Sequence, residues 1–149
     1  MPGSWPPPEL PDLTTQNCTL TSPATPLYNC IAWAAGDDSR WWEPDPFQQY
    51  YWPPDVPRDF TTQAYLQAYG TLGYRLCFDG GLEEGVEKIA IYGTGPAGGE
   101  QPTHAALQLP DGNWTSKLGN CEDVTHSTVN DLNGPCYGHV LCFLARPRA

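Results

Sequence analysis

The sequence predicts an α+β domain in which a cysteine-bearing helix near the N-terminus packs on a small antiparallel β-sheet. Three observations carry that prediction. A capped run of small and apolar residues opens at Cys30, an amphipathic stretch spans 60–72, and the chain beyond it breaks into short apolar runs separated by Gly, Pro or Asp-Gly.

Residues 1–27 hold seven prolines among polar residues. Proline lacks the amide donor and fixes φ, so this stretch is expected to be an extended arm, leaving 28–149 as one catalytic or binding unit. In Tyr28-Asn29-Cys30-Ile31-Ala32-Trp33-Ala34-Ala35-Gly36, Asn29 supplies a cap and Gly36 a stop, which gives a short helix starting at Cys30. The stretch 40–54 mixes Trp41, Trp42, Phe47, Tyr50, Tyr51 and Trp52 with prolines and reads as an ordered loop. Its rings serve first as a plug over the sheet; Trp41, Trp42, Tyr51 and Trp52 are also the candidate substrate-binding residues, since such rings stack on sugars or peptides.

Phe60, Ala64, Tyr65, Ala68 and Leu72 recur at helical spacing and predict a second helix. Strands are expected at 74–78, 88–92, 104–109, 114–118 and 140–144, with Pro110-Asp-Gly-Asn113 as a hairpin turn between the third and fourth. The stretch 123–132 reads as a short helix, and Glu83, Glu84 and Glu87 as a solvated acidic face.

A net charge of −10 with only seven Lys and Arg excludes the basic stripe that draws nucleic acid, and it repels anionic membranes. No apolar run approaches the roughly 20 residues of a membrane span. The N-terminus has no signal-peptide pattern, so the expected location is cytoplasmic, with export by another route left open. Cys121, His126, Cys136, His139 and Cys142 invite a zinc reading, but their spacing matches no standard knuckle, so neither metal nor other cofactor is expected.

A thiolate is the reactive form of cysteine, and the unpaired amides of a helix start favour it. Cys30 is therefore the candidate nucleophile, with the helix start capped by Asn29 as the oxyanion site. Of the three histidines, His104 begins a strand after a Gly-rich loop and is the candidate base. Hairpin counting brings Ser116 nearest to it as an orienting group, which would supply a hydroxyl but no charge.

This order of parts, Asn-Cys-Ile-Ala-Trp on a helix, Lys-Ile-Ala-Ile-Tyr on a strand and Thr-His-Ala-Ala-Leu at the next, resembles the papain-like hydrolases of the NlpC and CHAP classes over roughly 28–144. The same words, with Trp-Trp-Glu-Pro and Trp-Thr-Ser-Lys-Leu-Gly, resemble more closely a bacterial domain family of uncharacterised function. The first resemblance implies a papain-like fold and a cysteine peptidase or amidase that attacks a peptide or amide through a thioester, acting as a Cys-His dyad or triad and serving as a toxin or effector. The alternative is a non-enzymatic binding or structural domain in which Cys30 is an inert core thiol.

Overall fold

The computed structural model describes residues 10–118 and 122–148. Its body is one seven-stranded antiparallel sheet, built from β1 (Cys18–Ser22), β2 (Arg75–Cys77), β3 (Val86–Thr94), β4 (Gln101–Gln108), β5 (Trp114–Lys117), β6 (Asp123–His126) and β7 (His139–Pro147). Across the sheet the order is β1-β6-β5-β4-β3-β7-β2. Two helices, α1 (Cys30–Ala34) and α2 (Thr62–Gly70), and a 3₁₀ turn (Val129–Leu132) complete the regular structure.

The centre of the sheet follows from the longest apolar run. Ile89, Ala90, Ile91 and Tyr92 on β3 are fully buried, so this strand is covered on both faces and pairs with β4 on one side and β7 on the other. The β4–β5 turn forms where the Asp-Gly pair predicts it: the Leu109 N–H donates to the Asn113 carbonyl at 2.7 Å, and Gly112 takes a φ of 92°, which glycine adopts without strain.

One face of the sheet carries both helices. Asn29 has extended backbone and accepts from the Ala32 N–H at 3.1 Å, which starts α1; Gly36, at φ 82°, ends it after five residues. Thr61 caps α2 through the Ala64 N–H at 3.2 Å, and the Tyr69 hydroxyl donates to the Ile31 carbonyl at 2.9 Å, fastening the helices together. Cys30, Ile31, Trp42, Tyr65, Ile89, Ile91 and Ala105 form the core on this side. The opposite face buries Ala90, Tyr92, Ala106, Trp114, Val124 and Leu132, closed over by Leu10, Leu13 and the 3₁₀ turn.

The expectation of a papain-like α+β fold, with an N-terminal helix packed on a small sheet, is overturned. The molecule is mostly antiparallel sheet with little helix, α1 is only five residues long, and a strand precedes it. Two strands account for the difference. The stretch read as part of an arm contains β1, which pairs with β6 from Cys18↔His126 to Ser22↔Asp123. The stretch read as a helix from 123 begins instead as β6, and only its end turns helically. The boundary expected at residue 27 therefore cuts through the sheet. The acidic run is also not simply solvated: Glu87 accepts from Tyr74, Arg146 and Arg148, and Glu83 pairs with the buried Lys88 at 2.6 Å. Among the described residues, no helix is long and apolar enough to cross a membrane.

Candidate functional site

Cys30 lies at the floor of a cavity of about 240 Å³ on the helical face. Asn29 and Thr103 flank it, Trp41, Trp42 and Glu43 come from the aromatic loop, and Phe60 and Tyr65 come from the approach to α2 and from α2 itself. Asn29 joins two of these parts. Its Oδ1 accepts from the Trp42 N–H as well as from Ala32, both at 3.1 Å, and its Nδ2 donates to the Trp42 carbonyl at 2.7 Å. The cap thus fixes the loop against the helix start. The expected oxyanion role for Asn29 meets this directly, because its amide is already committed to backbone.

The Cys30 thiol is buried and points at β4, where Sγ lies 3.9 Å from the Thr103 carbonyl. Burial pushes its pKa up to about 11; the backbone N–H groups of Ala105, Ile31 and Cys30 and the Lys117 charge favour the thiolate but do not outweigh the loss of water. The helix start is real, yet desolvation wins over it.

His104 is on the other side of the sheet. Side chains alternate along a strand, so Ala105 meets the core around Cys30 while His104 and Ala106 face the opposite core. There His104 sits directly across from Tyr92, rings 5.3 Å apart edge to face, and stacks on Tyr137 at 4.1 Å. It is fully buried, neither ring nitrogen has a hydrogen-bond partner among the described residues, and burial together with the His126 charge lowers its pKa to about 3. The structure does not bring His104 to Cys30.

Ser116 also lies away from Cys30, on the His104 face, and its partner is a different histidine. Ser116 Oγ is 2.8 Å from His126 Nε2, and His126 Nδ1 is 2.8 Å from the Thr128 carbonyl. A carbonyl only accepts, so Nδ1 carries the proton and Nε2 accepts from the serine hydroxyl in the neutral ring. Asp131 continues the chain, accepting from the Thr128 N–H and hydroxyl and from Asn17 Nδ2. Ser116 and His126 are fully or almost fully buried, and neither lines the Cys30 cavity. The network ties β5, β6 and the 3₁₀ turn together. The sequence signal for His126 was its position in a short β-branched run, Asp123-Val-Thr-His126, which alternation would have put on one face with Val124 and β5 partners.

The candidate substrate-binding rings divide into two layers. Trp41 and Trp42 line the cavity, whereas Tyr51 packs behind Trp42 at 4.9 Å and Trp52 behind Tyr65 at 5.1 Å. Trp52 also donates to the Pro57 carbonyl at 2.9 Å. The plug thus also forms a wall of the cavity, with Glu43, Phe60, Tyr65 and Thr103 as lining residues that the sequence reading missed. Among the described residues, no group of three or more His, Cys, Asp and Glu could hold a metal ion; Cys121, weighed for zinc, lies outside them.

Fold and site together define a sheet domain with an aromatic-walled cavity over a recessed thiol. Residues 19–145 match the family described as a domain of unknown function, DUF7689, and the chain belongs to that family. No curated protein and no solved structure matches it.

Proposed function

We propose that this domain is a non-enzymatic binding module whose ligand occupies the cavity over Cys30. One observation carries the reading: the best nucleophile candidate is a buried thiol with a raised pKa, and the imidazole expected to activate it faces the opposite side of the sheet. Acyl transfer by Cys30 needs a base within about 3 Å of the sulfur or one water away. Next to Sγ stand the Thr103 carbonyl and backbone amides, and the lining adds aromatic rings and the Glu43 carboxylate, which the Trp41 indole holds by a hydrogen bond at 3.2 Å.

The test is the pH dependence of Cys30 alkylation by iodoacetamide, followed by peptide mass spectrometry so that the other cysteines are read separately. The thiol should react slowly near neutrality and accelerate only as the pH approaches 11, with an unchanged profile in His104→Phe. Rapid alkylation at pH 7 that is lost in His104→Phe, together with amide or ester hydrolysis lost in Cys30→Ala, would restore the peptidase or amidase expectation.

A further inference from the structure

The geometry points to an alkylated ammonium group as the ligand of the Cys30 cavity, an inference that rests on the binding reading above. Three chain segments bring aromatic rings to this one recess: Trp41 and Trp42 from the loop, Phe60 from the approach to α2, and Tyr65 from α2. Aromatic faces carry negative potential and attract cations that lie over them. The rings are held from behind, Trp41 against Tyr50 at 5.9 Å, Trp42 against Tyr51 and Tyr65 against Trp52, so little ordering remains to be done on binding.

Charge points the same way. Among the described residues, Glu43 is the only carboxylate that lines the cavity and no Lys or Arg lines it, although the Lys117 charge acts on Cys30. The Trp41 indole N–H donates to Glu43 Oε1 at 3.2 Å, which keeps that carboxylate beside the rings. The whole chain carries −10, so the field over the opening favours cations. The same loop already holds one cation on an aromatic face: the Arg40 guanidinium lies 3.5 Å from the centre of the Tyr51 ring, steered by its bond to Asp37.

Hydrogen-bond capacity separates the possible cations. A bare ammonium brings three N–H donors that need acceptors. Asn29 has spent its amide on Ala32 and Trp42, the Thr103 hydroxyl donates to the Tyr137 carbonyl, and the Cys30 thiol faces the Thr103 carbonyl. A primary ammonium would need acceptors for all three N–H groups, from Glu43 and the hydroxyl oxygen that Thr103 keeps as an acceptor, and a sugar would need more, whereas a trimethylammonium group needs only the rings and the charge. Phe60, 40% exposed at the rim, gives that group an apolar way in from solvent.

The probes are choline and tetramethylammonium, with 3,3-dimethyl-1-butanol as the neutral analogue of choline and a trimethyllysine peptide to distinguish a side-chain ligand from a free small molecule. Titrations at constant ionic strength are read by tryptophan fluorescence and by NMR on the intact chain. Choline or the peptide should bind at least about tenfold more tightly than the neutral alcohol, and Glu43→Gln, near-isosteric and checked by thermal melting, should weaken binding about tenfold. Trp41→Ala should weaken it comparably. Tighter binding of the peptide assigns the ammonium to a protein side chain, and of choline to a free ligand. Equal binding of choline and the alcohol, or no binding of any ammonium probe, overturns the inference. If that happens while Cys30 stays slow and His104-independent, the binding reading survives and only its ligand falls; fast, His104-dependent alkylation removes the reading itself, whatever the ammonium does.

Discussion

Asn29 shows how much one side chain can fix. Its carbonyl oxygen takes two backbone N–H groups and its amide gives one hydrogen to a third backbone group, all in a buried setting. Replacing it with Ala removes a helix cap and leaves the Trp42 N–H and carbonyl unpaired, so Asn29→Ala should cost about 2–4 kcal/mol in urea unfolding. Asn29→Asp keeps the acceptor and loses the donor to Trp42, and should fall between the two. Equal stability of wild type and Asn29→Ala would mean that water replaces the amide and that the loop is not anchored there. The cap itself was legible, because Asn before a run of small apolar residues is a local signal. Its second partner, 13 residues on, was not, since nothing local marks which backbone a buried amide will reach.

The placement of His104 was partly legible, and the signal lay in the alternation. Along β4 the parity of Ala105 and Leu107 is apolar, and both meet the helical core; the parity of His104 and Gln108 is the mixed one. Gln108 turns to the opposite face and donates to the Gly80 carbonyl at 2.8 Å, and His104 goes with it. A histidine at a strand start suggests a base only after its face is known, and chain order alone does not give the face.

At the scale of elements, the strand missed in the arm is the instructive one. The prolines of that segment cluster at 2–11 and again at 23 and 26, and between them Cys18-Thr19-Leu20-Thr21-Ser22 is proline-free and rich in β-formers. Averaging composition over the whole arm hid this run. β1 matters to the fold because it covers the edge of β6, while Leu10 and Leu13, upstream of it, are buried against the second core. Removing residues 1–22 should therefore abolish cooperative unfolding or lower the urea midpoint sharply, and Leu13→Ala alone should cost about 2–4 kcal/mol. A truncated chain with an unchanged midpoint and an unchanged urea slope would show that the sheet is complete without β1. The second helix, by contrast, was readable within two residues of its ends and the hairpin at its turn, though β4 begins three residues before the expected 104, because each rests on a periodic or turn signal that needs no distant partner.

For the molecule as a whole, two buried histidines on one side of the sheet make stability depend on acid. His104 has a folded pKa lowered to about 3 by burial and by the His126 charge, against about 6.5 in the unfolded chain. His126 is also lowered, by burial that outweighs its bond to Thr128 and the Asp131 charge. Above pH 6.5 both rings are neutral in either state and contribute no slope. Below it the unfolded chain takes up protons that the native core refuses, so the unfolded state binds more protons and stability falls with falling pH, by up to about 1.4 kcal/mol per pH unit for each ring. Asp37 acts in another window. Burial would raise its carboxyl, but hydrogen bonds from Ser39, Trp42 and Arg40 hold it well below the usual carboxylate range, so its contribution is lost only as the pH drops below about 4. Between pH 6.5 and 4.5 the imidazoles therefore dominate. His104→Phe keeps an aromatic ring against Tyr137 and Tyr92 and removes two buried nitrogens that have no hydrogen-bond partner among the described residues. At pH 7 it should be neutral or stabilising by up to about 1 kcal/mol, and it should reduce the acid slope, the remainder belonging to His126. Urea unfolding at half-unit steps of pH measures both quantities. A variant with the wild-type slope would mean that His104 is protonated in the folded protein, and that it has a polar partner which the packing between Tyr92 and Tyr137 does not provide.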